Sequence, residues 1–418
     1  MSKWASLAFR GTRRLSGFAI SMMLLAAASL ILIPATIHAA GIEKWSSIVL
    51  AQALAQIVAT VVGLGYGVNG TSVVAVAEHA DGVRYFRVAE RARLIAAIPC
   101  YTLMVIVMYV VPNPDPLAGI LGGAPLAFGA FSGSFFYIGR AAPGWFLAAE
   151  TLPRVVSMLA GAACLVLGVP LYVGLLIPAV GTVVAIVISN FTIYRSSRGD
   201  QRHRPSISSI LSQFRAQLAP VASFSLSNGA NAVPVFVITG IAPGLVGSFG
   251  VFDRLQRQAV VGLSPLTAAL QGWVPRRVAN GGASRPTMAA LGVALIAGAG
   301  ITVATTAIGP TLITWLAAGQ LKPTIGQGLL CGLVIASSMQ INLIAYAVLV
   351  PLGGIRVVLV GNIVGFLATL ASLLFMLSVH SSLSFALGAL VIGNFVQLLF
   401  QLFMVKLRLK RFDAELVA

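Results

Sequence analysis

Charge is what this sequence has least of. Asp, Glu, Lys and Arg together make up 9% of its 418 residues, against about a quarter in soluble domains, while hydrophobic residues reach 58%. So little polar surface cannot cover a globule in water, which excludes a soluble fold and leaves the bilayer as solvent. Acid is scarcer than base, with 10 Asp and Glu against 27 Lys and Arg and a net charge of +17. Cysteine occurs at Cys100, Cys164 and Cys331 only, each in an apolar run and no two at metal-ligand spacing, which reads as core filling. The four histidines are scattered. A Gly-rich phosphate loop with its Lys, an HExxH pair and a nucleophile elbow are all missing. Covalent catalysis and ATP hydrolysis therefore have no residues to rest on, and the reading is a non-enzyme without metal or cofactor.

Long apolar runs take up the chain instead. Twelve read as spanning segments, at about 16–39, 45–66, 94–111, 117–139, 154–169, 171–194, 217–239, 245–271, 287–309, 325–350, 355–378 and 382–405. Most approach the roughly 20 residues needed to cross a hydrocarbon core as a helix. Their continuity excludes barrel strands, which alternate over about 10 residues. The first run follows Arg10, Arg13 and Arg14 as a secretory signal would, but it continues beyond the usual 7–15 apolar residues and reads as a retained helix. The expectation is an all-α polytopic membrane protein of about twelve transmembrane helices.

Basic residues orient these runs, because cytoplasmic loops are enriched in Lys and Arg. With twelve helices, 23 of the 27 fall on one side, and Lys44 and Lys322 alone fall on the other, with Arg254 and Arg257 inside a run. Both termini are thus expected in the cytoplasm. Scattered over seven segments, the charges form no groove-sized stripe for nucleic acid. The stretch 78–93, with Glu78, Asp81, Arg84, Arg87, Glu90 and Arg91, reads as a solvated cytoplasmic helix, with a gate or partner surface as the alternative.

One sizeable hydrophilic break, RSSRGDQRHRPSISSILSQFRAQ from Arg195 to Gln217, lies near the midpoint. It divides the chain into an N-terminal six-helix lobe (1–194), a cytoplasmic linker (195–216) and a C-terminal six-helix lobe (217–418). Six helices per lobe give both the same orientation, as in parallel pseudo-repeats that meet around a central transport site. A scaffold of the same topology is the alternative from a different functional class. Many of the 43 glycines and 20 prolines lie inside the runs, where they allow close packing or bending.

Charge in hydrocarbon costs at least about 2.5–3.5 kcal/mol per residue and marks candidate sites. The run 245–271 carries Asp253, Arg254 and Arg257, roughly 12–18 Å from its outer end. Asp253 and Arg257, at i,i+4, can pair as a structural salt bridge. Such a bridge leaves one excess guanidinium, which suits phosphate or diphosphate bound bidentately. Asp253 reads as the only carboxylate in the membrane core; ionised by the arginines it is a counter-ion, protonated by burial it is a candidate for ion coupling. Asn228 with Asn231 and Gln52 with Gln56 are amide pairs that read either as a cavity lining or as hydrogen-bond glue between helices.

The stretches Ile33–Ala75 (IPATIHAAGIEKWSSIVLAQALAQIVATVVGLGYGVNGTSVVA), Phe252–Ala279 (FDRLQRQAVVGLSPLTAALQGWVPRRVA) and Gly309–Leu330 (GPTLITWLAAGQLKPTIGQGLL) together resemble the polysaccharide-export flippases, of O-antigen and teichoic-acid exporter type, in the multidrug/oligosaccharidyl-lipid/polysaccharide (MOP) superfamily. The resemblance implies a V-shaped, two-lobed transporter of the bacterial inner membrane whose helices 1, 2, 7 and 8 line a cavity. It implies outward flipping of a polyprenyl-diphosphate-linked oligosaccharide, with membrane lipids and polysaccharide polymerase or glycosyltransferases as partners. Arg254, Arg257, Asn228, Asn231, Gln52 and Gln56 lie on the matching helices 8, 7 and 2 and are the expected substrate-binding residues. The runs matching helices 1 and 7 carry no acid, unlike drug/cation antiporters of the superfamily, and the two extra helices of many lipid II flippases are missing. Drug, cation and lipid II export remain the alternatives.

Overall fold

The computed structural model describes residues 3–196, 217, 231–281 and 283–417. Every regular element among them is helical. The chain forms two compact units, Met1–Ala232 and Val233–Ala418. Eight helical stretches among the described residues are long and apolar enough to cross a membrane. Linker residues 197–216 and most of the seventh run lie outside the described residues.

In the first unit, α1 (Lys3–Val62) carries the first two runs as two helices joined at a kink, where Gly41 takes φ 73° and ψ 161°. That left-handed φ suits glycine. Helix α2 (Tyr66–Val76) and helix α3 (His79–Val110) follow. The amphipathic stretch from Glu78 is therefore not a separate surface helix: α3 runs unbroken from it into the third span, and Gly82, Val83, Phe86, Val88 and Ala89 bury one face. Helix α4 (Pro116–Phe128) starts with Pro116 behind its N-cap Asp115, an arrangement that uses proline where no N–H is needed. The fourth run is not one helix, since α4 gives way to a short turn and helix α5 (Ser134–Gly139). Helix α6 (Pro143–Phe146) joins helix α7 (Leu152–Val166) through a π turn, Leu147–Thr151. After the left-handed Gly168, helix α8 (Leu171–Arg195) completes the unit. Helices α4 and α7 pack on α1, and α8 packs on both.

Helix α9 (Asn231–Ile241) leads into the second unit. Helices α10 (Val246–Gly281), α11 (Ser284–Leu316) and α12 (Ile325–Leu343) follow, the last prolonged by a π turn, Ile344–Leu349. Helices α13 (Ile355–Val379) and α14 (Leu383–Val417) close it. Its core joins Ile344, Val348 and Leu349 of the π segment to Ala290, Ala294, Val357 and Leu398. The helices outrun the apolar runs because a helix satisfies its own backbone groups in lipid and in water alike.

Candidate functional site

Helix α10 turns Phe249, Val251, Phe252 and Leu255 into the core of the second unit. Its charges stand beside that apolar face. Arg257 donates from Nε to Asp253 Oδ2 at 2.7 Å, with the side chains 27% and 15% exposed. Arg254, one residue on from Asp253, is half-buried. Two guanidiniums thus stand beside one carboxylate, and no further Asp or Glu occurs between Asp253 and Asp413. Gln256 on the same helix donates to Ser338 Oγ of α12 at 3.3 Å. Asn394 of α14 donates to the same hydroxyl at 3.1 Å and to Ser337 Oγ at 3.0 Å. Gln397 donates to Asn362 Oδ1 of α13 at 2.8 Å. A polar seam therefore ties four helices of this unit around the charged helix.

The amides divide. Gln52 of α1 donates to the Gly122 carbonyl of α4 at 3.1 Å, which joins two helices of the first unit. Gln56, one turn on, is half-buried, and its backbone carbonyl accepts from Thr60 Oγ1. Asn231 opens α9 and is exposed, and Asn228 lies outside the described residues. The structure thus gathers Asp253, Arg254 and Arg257 on one helix of the second unit, and Gln52 with Gln56 on one helix of the first.

The first unit holds a cluster that the sequence reading placed in loops. Helix α10, which carries the expected run 245–271, is not among the eight described stretches long and apolar enough to cross a membrane, whereas Glu150 lies in the π turn of one that is, Pro143–Val166, and is 1% exposed. Its Oε2 accepts from Arg154 at 2.7 Å and from Ser132 Oγ at 3.0 Å, while Oε1 accepts the Gly133 N–H at 2.7 Å. Arg93, 3% exposed, donates to the Ser132 carbonyl at 3.2 Å. Its guanidinium lies 5.0 Å from the Tyr66 ring centre and 4.9 Å from that of Phe135, within cation–π range. Glu90 accepts from Asn190 and Tyr194 of α8. The usable signal was the Glu150–Arg154 spacing of four, the same as in Asp253–Arg257.

At the opposite end of these helices, Asp115 caps α4 by accepting the Ala118 N–H at 2.9 Å. Tyr172 of α8 donates to its Oδ2 at 3.0 Å, and Lys44 of α1 stands 3.5 Å away. Burial pushes this carboxyl upward, but the Ala118 amide, the Tyr172 hydroxyl and Lys44 outweigh it and hold Asp115 below the usual carboxylate range. Among the described residues, no three His, Cys, Asp or Glu side chains gather as metal ligands.

No protein-family model and no curated protein matches the chain. Among solved structures, it is similar to the lipid II flippase MurJ in an inward closed conformation, with a TM-score of 0.69 at 11% identity, over 93% of this chain and 87% of that one. It is also similar to an inward-facing multidrug-resistance MATE transporter of the MOP superfamily, with a TM-score of 0.61 at 16% identity over 95% and 99% of the two chains. A MOP-superfamily transporter from Pyrococcus furiosus, described as having a binding pocket of reversed polarity, matches with a TM-score of 0.58 at 15% identity over 96% of both. The chain is a multi-pass membrane protein with the MOP transporter fold. At these identities the likeness extends to the fold and no further.

Proposed function

We propose that this protein is a bacterial inner-membrane transporter that flips a polyprenyl-diphosphate-linked oligosaccharide outward by alternating access, with both termini in the cytoplasm. The observation that carries this reading is the charge of α10, where Arg254 and Arg257 stand beside the single carboxylate of Asp253. A charge cluster with one excess positive charge suits an anionic substrate, and guanidiniums bind diphosphate oxygens bidentately. Asp253 orients Arg257, whose Nε donates to it at 2.7 Å. The fold shared with a lipid II flippase supports a lipid-linked substrate. The same likeness favours lipid II itself as a second reading, whereas a cationic helix opposes export of organic cations.

The test is binding of a polyprenyl-diphosphate saccharide to the purified protein in nanodiscs. Wild type binds, and Arg254→Ala with Arg257→Ala loses at least tenfold in affinity while remaining folded and monodisperse. Equal binding by both proteins removes the arginines from the mechanism. Competition by lipid II at equal concentration decides between the two lipid-linked substrates.

A further inference from the structure

The turn between α11 and α12 builds an open cleft of about 550 Å³, lined by Pro310, Thr311, Thr314, Trp315, Lys322 and Pro323 among others. Its shape follows from how α11 stops. Ala318 and Gly319 both take left-handed φ, 49° and 80°, and the Gly319 N–H returns to the Thr314 carbonyl at 2.8 Å, a Schellman-type ending. Helix α12 then starts from Thr324 with a closed capping box, Thr324 Oγ1 accepting from Gln327 N and Gln327 Oε1 from Thr324 N. Lys322 is held between these two fixed ends.

Two features of the cleft point to a ligand. Trp315 is 52% exposed at the end of a membrane-length helix, where indole rings mark the headgroup level of a bilayer. Lys322 is exposed, forms no ion pair among the described residues, and lies in a stretch without a single Asp or Glu from Arg254 to Phe412. Lys44 of α1 differs, since it stands 3.5 Å from the carboxylate of Asp115. We propose that the α11–α12 cleft is a binding site for an anionic phospholipid of the surrounding membrane. The lipid phosphate meets the Lys322 ammonium, with Thr311 and Thr314 as hydroxyl donors, and the glycerol and upper acyl chain lie along Trp315 and Pro310. The chemistry favours a lipid over a free phosphate ion because most of the lining is apolar. It favours a net-negative headgroup because the only charge in the lining is positive. The site does not depend on which substrate is transported.

The test uses the full chain in nanodiscs containing increasing fractions of brominated phosphatidylglycerol or brominated phosphatidylcholine. Trp315 quenching is isolated as the difference from Trp315→Phe. With phosphatidylglycerol, the half-saturating fraction should rise about fivefold in Lys322→Gln and return to the wild-type value in Lys322→Arg. Phosphatidylcholine quenching should be independent of residue 322. Equal half-saturation for both lipids, or for wild type and Lys322→Gln, overturns the proposal. So does displacement of phosphatidylglycerol by millimolar inorganic phosphate, which would make the cleft an anion site instead of a lipid site.

Discussion

Glu150 and Asp115 show how far a single side chain can be read without its neighbours. The Asp253–Arg257 pair was legible because spacing alone puts both groups on one helix face, and the ion pair forms as that spacing requires. Glu150 has the same spacing to Arg154, yet it reads as a loop residue between Pro143 and Pro153. Only packing shows it 1% exposed, with Ser132 bridging it to Arg93. Glu150→Gln leaves Arg154 charged and without its carboxylate, and should cost about 3–5 kcal/mol. Adding Arg154→Gln should restore part of that loss; thermal unfolding in detergent checks both, and a single variant as stable as wild type would show that the pair holds nothing. Asp115 titrates in the other sense from a buried acid left alone. Its folded-state pKa is depressed, so its contribution is complete above the unfolded value of about 3.9 and is lost as pH falls through the lower folded one. The unfolding temperature of wild type should therefore hold from pH 7 to about 5 and fall below about 4. Asp115→Ala should be less stable by about 1 kcal/mol at neutral pH through the lost cap and show a shallower acid limb.

At the scale of the helix, small residues decide which pairs approach. Gly361 and Gly365 of α13 lie four apart and face Phe400, Gln401 and Gln397 of α14, while Gly393 of α14 faces Thr369 of α13. A Cβ at Gly393 would strike the Thr369 hydroxyl and sit 2.8 Å from Thr369 Cα, a backbone atom that cannot swing aside. Gly393→Val should therefore destabilise by about 1–3 kcal/mol. Gly388→Ala, on the same helix, meets only the flexible Met376 Cε at 3.4 Å, and should be neutral or stabilising by up to about 1 kcal/mol. Equal effects of the two, measured by thermal unfolding, would show that α13 and α14 do not depend on this contact. The sequence signal for the pair is the spacing of Gly361 and Gly365. Which helix fills the groove is not in that spacing. Helix ends were equally hidden: the third run was read from 94, whereas α3 starts at His79, because the charged stretch and the apolar stretch share one helical repeat.

For the whole molecule, the positive-inside pattern makes a prediction independent of substrate. Reporters fused to either terminus should be active in the cytosol, and reporters inserted beside Lys44 or Lys322 should be active outside. A terminal reporter found outside would reverse the assigned orientation. The all-helical, multi-span character was legible in the chain because bilayer thickness sets the length of every span, although eight helical stretches, not twelve, are long and apolar enough to cross among the described residues. Helices rather than strands follow from the same solvent, since lipid offers no partner for an open backbone. The i,i+4 spacing of Asp253 and Arg257 also marked the charged segment that became α10. Tertiary structure alone decided that the fourth run ends early and resumes as α5, and that Arg93 and Glu150 are enclosed by Tyr66, Phe135 and Ser132. Hydropathy reports the solvent of a segment as a whole. A buried ion is stabilised by groups brought from distant parts of the chain, and only folding brings them together.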